Sequence, residues 1–114
     1  MSILGDKWKK VEDFFSENFQ VETPMDLDIV LFLIGVQELG FGAQEFKKDD
    51  KLNLMHIAVC RILSPFGYYA FVDKDNQGWP HYELIKPLPV LKPNEQTLLM
   101  KEAVIQYMEE EGYI

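Results

Sequence analysis

Apolar and polar positions recur along this chain with two periods, and the change from one to the other orders the elements. Residues 5–19, GDKWKKVEDFFSENF, place Trp8, Val11, Phe15 and Phe19 at spacings of three and four, with Phe14 beside them. Lys7, Lys9, Lys10, Glu12, Asp13 and Glu17 take the remaining positions. This is the pattern of an amphipathic helix with a core-facing stripe. Residues 26–40, DLDIVLFLIGVQELG, follow a different rule, because Ile29 to Val36 carries no polar side chain. A helix that is apolar on every side is a buried one, and the other elements are expected to pack around it. It is too short to cross a bilayer, which takes ~20 apolar residues. Thr23 followed by Pro24 predicts its start, Asp26 and Asp28 suit its first turn, and Gly40 suits its end.

Residues 40–51, GFGAQEFKKDDK, break regular structure at Gly40 and Gly42 and then carry balanced charge, which predicts a surface loop. The GFG run lacks the length and the Lys-Ser/Thr ending of a phosphate-binding loop. Residues 49–64 predict a third helix, capped by Asp49 or Asp50 and ended by Ser64-Pro65 with Gly67. Its apolar face is read as Leu52, Met55, Val59, Ile62 and Leu63, with Asn53, His56, Cys60 and Ser64 on a semi-polar flank.

From residue 67 the period shortens. Tyr68 to Asp73 is rich in strand formers, residues 73–78 form a polar tip ending in glycine, and Trp79 to Ile85 returns, which together predict a β-hairpin over 67–86. Pro80 cannot donate to a ladder, so this end belongs at an edge or a strand start. Alternation is expected to send some of Tyr68, Tyr69, Phe71, Trp79 and Tyr82 to each face, one face covering the helices and the other leaving aromatic surface for binding. Pro87, Pro89 and Pro93 make an extended connector. Residues 94–111 return to the helical period, with Leu99, Met100, Ala103, Val104, Tyr107 and Met108 on one broad face. Leu98 and Ile105 lie one heptad apart on the other, where a partner helix would dock.

The fold class expected is therefore α+β and mostly helical: three helices, a hairpin and a C-terminal helix in one domain, 1–114. This order, with GYY…DNQGWPHYELIKP in the place of a wing, resembles a winged helix carrying a C-terminal dimerisation helix. The resemblance implies a transcriptional regulator whose third helix enters the major groove. The residues offer that helix Lys51, Asn53, His56 and Arg61 against Asp49 and Asp50, and the wing tip holds Asp73 and Asp75 against Lys74.

Composition narrows the choice. The chain has 114 residues, 47% hydrophobic and 13% aromatic, enough for a core and unlike a disordered segment. Its net charge of −8 repels phosphate backbones, and no cluster of Lys and Arg offsets it, so nucleic acid and anionic membranes are disfavoured partners. Cys60 is the single cysteine, so no internal disulfide framework exists. The first residues show no basic region, apolar run and small-residue cleavage site in series. These features together place the protein in the cytoplasm.

Candidate chemistry is sparse. His56 and Cys60 are four apart on one helix and would suit a shared metal, but a structural zinc site needs four ligands. His81, Glu38 and Glu45 have no signature spacing, so no metal or other cofactor is expected. Cys60 as a nucleophile would need a base and an orienting group, and only His56 is at hand. Arg61 is the only arginine and falls between Leu54, Ile57 and Ala58 on the helical wheel. A half-buried arginine is nearly always paired, which points to an ion pair with Glu38, or to an anionic ligand as the alternative. The functional expectation is a small acidic, non-catalytic protein-interaction module that forms a homodimer, with Tyr69, Phe71, Trp79, Tyr82, Leu98 and Ile105 as contact residues. A winged-helix regulator is the alternative, and a small-ligand or metal-binding protein using His56 and Cys60 the second.

Overall fold

The computed structural model describes residues 3–40 and 46–114; of the loop expected at 40–51, residues 41–45 and with them Glu45 lie outside the described residues. Its elements are helix α1 (Ile3–Phe19), helix α2 (Leu27–Leu39), helix α3 (Lys48–Leu63), strand β1 (Tyr69–Lys74), strand β2 (Pro80–Leu84) and helix α4 (Pro93–Glu110). A single 3₁₀ turn, Ser64–Phe66, follows α3. The class is α+β and mostly helical, with one two-stranded antiparallel sheet.

The chain forms two compact units, one of residues 1–30 and 91–114 and the other of residues 31–90. In the first, α1 and α4 pack together. Trp8, Val11 and Phe15 are buried along α1, and Ala103, Val104, Ile105, Tyr107 and Met108 along α4. Complete burial of a side chain such as Phe15 contributes about 1.5–3 kcal/mol. Polar contacts at the margin are smaller: Lys7 Nζ lies 3.2 Å from Glu109 Oε2, and Lys101 Nζ sits 5.0 Å from the Trp8 ring centre. Exposed pairs of this kind contribute about 0–1 kcal/mol, so apolar burial dominates. Pro93 opens α4 and Glu95 reaches back to accept the Lys92 N–H at 3.0 Å. The start of α2 belongs to this unit as well. Asp26, not Thr23, caps it: Asp26 Oδ1 accepts the Ile29 N–H at 2.9 Å. Thr23 and Pro24 stay in the bend before the helix. Aspartate outranks threonine as an N-cap, and a negative charge there also meets the helix dipole.

The second unit holds the rest of α2, α3 and the hairpin. Leu31, Leu33, Ile34, Val36 and Leu39 are buried, as the unbroken apolar run requires, while Ile29 at the helix start is 38% exposed. Gly35 marks a close crossing: a Cβ there would stand 2.6 Å from the carbonyl carbon of Leu54 on α3. The buried face of α3 is Leu54, Ile57, Ala58, Cys60, Ile62 and Leu63. Of the expected face, Ile62 and Leu63 are buried, but Leu52 is 59% exposed and Met55 and Val59 are half-buried, so the face is rotated over the first part of the helix. The helix carries apolar residues on nearly every side, and the approach at Gly35 selects the side that holds Leu54. The semi-polar flank divides accordingly, with Cys60 buried and His56 exposed.

Candidate functional site

The hairpin is set by local chemistry. Gly67 adopts φ +85°, a left-handed conformation that lets the chain leave the 3₁₀ turn, and its N–H donates to the Ser64 carbonyl at 2.9 Å. At the tip, Asp75 Oδ1 accepts the N–H groups of Gln77 (2.9 Å) and Trp79 (3.0 Å), and Asp75 Oδ2 lies 2.9 Å from His81 Nε2. The His81 contact, and then these backbone donors, hold the Asp75 carboxyl below its usual range.

Register decides which side chains share a face. Tyr69 pairs with Leu84, Ala70 with Glu83 and Phe71 with Tyr82, while Asp73 pairs with His81 after a bulge at Val72. Directly paired residues point to the same side. Tyr69, Phe71, Tyr82 and Leu84 therefore lie on one face, and Ala70, Glu83, Asp73 and His81 on the other. The aromatic residues of the strands are not divided between the faces, because Tyr69 and Phe71 are two apart and their partners are two apart as well. On this face the Tyr69 ring meets His56 of α3 edge to face at 6.2 Å, the Phe71 and Tyr82 rings meet each other at 5.7 Å, and Phe71 and Leu84 remain exposed.

The candidate residues fall in three groups around this face. Arg61 Nε lies 3.3 Å from Glu38 Oε1, both half-buried, in a concavity of about 400 Å³ also lined by Phe71 and Tyr82. Burial, and then the nearby Glu38 carboxylate, push the Tyr82 phenol up. A second concavity, of about 470 Å³, brings His56, Asn53 and Asp50 of α3 opposite Trp79 and His81 of the hairpin. The third group is Cys60 and His56, with Sγ 3.5 Å from Nε2. Burial raises the Cys60 thiol to about 11, which keeps it protonated and unlike the thiolate that metals and electrophiles require. Among the described residues no three His, Cys, Asp or Glu side chains converge on a point where a metal would sit.

The α4 candidates behave differently. Leu98 is 45% exposed, but Ile105 is only 5% exposed and is not available to a partner helix. It lies beside Ile3, Leu4 and Lys7 in the unit where α1 and α4 pack together. The second apolar stripe of α4 is internal packing at Ile105.

Sequence reasoning passed over the apolar residues outside the aromatic group. Eleven large apolar side chains are exposed among the described residues, and six of them, Phe71, Val72, Leu84, Ile85, Leu88 and Val90, fall within a 20-residue stretch. The signal was present in LIKPLPV, whose four aliphatic side chains are interrupted by one lysine and two prolines. The chain matches no protein-family model, no curated protein and no solved structure. No described helix is long and apolar enough to cross a membrane.

Proposed function

We propose that this chain is a non-catalytic protein-interaction module whose contact surface is the hairpin and the connector after it. The observation that carries the reading is the concentration of exposed apolar side chains between Phe71 and Val90. Scattered exposed apolar residues are ordinary, but a concentrated group points to a binding surface. Charge agrees. Asp73, Asp75 and Glu83 balance Lys74, Lys86 and Lys92, so residues 67–92 are neutral in a chain of net charge −8. Long-range repulsion of acidic partners is therefore least at this stretch. A catalytic reading finds less support, since the only cysteine is buried and protonated.

Photo-crosslinking in the source cells tests the proposal. A benzophenone side chain placed at Phe71, or at the fully exposed Val90, should yield a defined protein adduct. The same group at Lys9, on the exposed side of α1, should not. Equal labelling from all three positions, or none from the hairpin positions, overturns the reading.

A further inference from the structure

Register sorts the charges of the hairpin as well as its rings. Glu83 pairs with Ala70 and Asp73 with His81, on the face away from Tyr82. Lys74 pairs with Pro80 and so falls on the face of Phe71 and Tyr82. The concavity of about 400 Å³ on that face is lined by Phe71, Lys74, Pro80 and Tyr82 of the hairpin, with Arg61 of α3 and Glu38 of α2. Its charged groups are therefore two cations against one carboxylate. Asp75, next to Lys74 in the chain, is engaged elsewhere: Oδ1 accepts the Gln77 and Trp79 N–H groups, and Oδ2 lies 2.9 Å from His81 Nε2. Among the described residues Lys74 has no ion-pair partner. A local positive surplus thus sits beside an exposed Phe71 in a chain of net charge −8.

We propose that this concavity receives an Asp or Glu side chain of a partner protein, carried next to an apolar side chain that covers Phe71. The inference rests on the reading of the hairpin as the contact surface and names the chemistry of its partner. Charges more than about 8 Å away are largely screened at physiological ionic strength, so the groups lining the concavity weigh most. A guanidinium carries five N–H donors in a planar fork matched to carboxylates, more than one carboxylate takes up. Lys74 adds a point charge on a flexible stem. The surplus is a single positive charge, because Glu38 offsets one of the two cations. That balance suits a carboxylate better than a phosphate group, which carries about −1.5 to −2. Tyr82 and Arg61 are also of the residue types that most often anchor protein interfaces.

The test is backbone-amide NMR of the intact chain with three capped peptides, acetyl-Leu-Phe-Glu-amide and its counterparts ending in Gln and in Lys. The Glu peptide should shift the amides of Phe71, Lys74 and Tyr82. It should bind about tenfold more tightly than the Gln peptide, by a margin that shrinks with added salt. Lys74→Glu inverts the local balance and should reverse the order, so that the Lys peptide binds ahead of the Glu peptide. Lys10→Glu, on the exposed side of α1, changes the net charge equally and should leave the wild-type order intact. Both lysines are exposed, so neither substitution disturbs packing. A Glu peptide that fails to bind or binds no better than the Gln peptide, shifts confined to other residues, or an order indifferent to Lys74→Glu each overturn carboxylate recognition. Protein adducts from the benzophenone at Val90 would then leave the interaction reading standing, and their absence as well would overturn both.

Discussion

The Cys60 thiol lies 3.5 Å from His56 Nε2 and is almost wholly enclosed by α3 and its neighbours. Desolvation raises its pKa from 9.0 to about 11, against a smaller lowering by a backbone hydrogen bond. The folded state thus holds this proton more tightly than the unfolded chain does. That contribution to stability is complete below about pH 9 and is lost as pH rises through about 11. The Tyr69 and Tyr82 phenols are raised as well, so the comparison needs a reference lacking only the thiol. Thermal unfolding of the wild type and of Cys60→Ala from neutral to alkaline pH supplies it. The stability advantage of the wild type over the variant should shrink across the alkaline range. A difference that stays constant with pH would show that the thiol is not desolvated. Arg61 and Glu38 illustrate the same dependence on surroundings. Each is half-buried, and removal of one alone leaves the other partly desolvated, which is more damaging than loss of an exposed pair.

At the scale of elements, the crossing of α2 and α3 turns on Gly35. Alanine is a better helix former than glycine by about 1 kcal/mol, so Gly35→Ala would stabilise an isolated α2. In the folded chain the new Cβ would meet the Leu54 backbone, with the carbonyl carbon at 2.6 Å and Leu54 Cβ at 2.9 Å. A backbone cannot swing aside as the end of a long side chain can, so the two helices would have to separate. Overpacking of this kind costs about 1–3 kcal/mol beyond any propensity gain. Urea unfolding of Gly35→Ala should therefore show a lower midpoint than the wild type. A raised midpoint would mean that the helices do not approach closely at this position. In the hairpin, the bulge at Val72 has a comparable local effect, since it is where the pairing register shifts.

For the whole molecule, the charge of −8 bears on partners more than on architecture. A winged-helix regulator would need cations at its groove-facing elements, yet the hairpin tip presents Asp73 and Asp75 with Lys74, and α3 begins with Asp49 and Asp50. Non-specific duplex binding at physiological salt has dissociation constants of about 10⁻⁴–10⁻⁶ M and depends on clustered cations. Fluorescence anisotropy with random duplex DNA should find binding weaker than that range. Micromolar binding that falls steeply with added salt would instead favour the regulator.

What the sequence determined by itself was whatever depends on near neighbours along the chain. The amphipathic periods of α1 and α4, the buried character of α2, the polar hairpin tip and the stop at Gly67 all follow from spacing and backbone preference, and so does the α+β class. Tertiary structure decided the questions for which the sequence holds more than one solution. α3 is apolar on most sides, so periodicity could not choose between the face with Leu52 and Met55 and the face with Leu54 and Ile57. The close approach at Gly35 chose, and a glycine inside an apolar run gives no sign of that role. The burial of Ile105 depends on α1, which lies about a hundred residues away in the chain. Tyr69, Phe71 and Tyr82 share one face because pairing register, which no single strand encodes, aligned Tyr69 and Phe71 with Leu84 and Tyr82. The place of Lys74 beside Tyr82 was hidden for the same reason: past a bulge, a residue's face is known only once its partner is known.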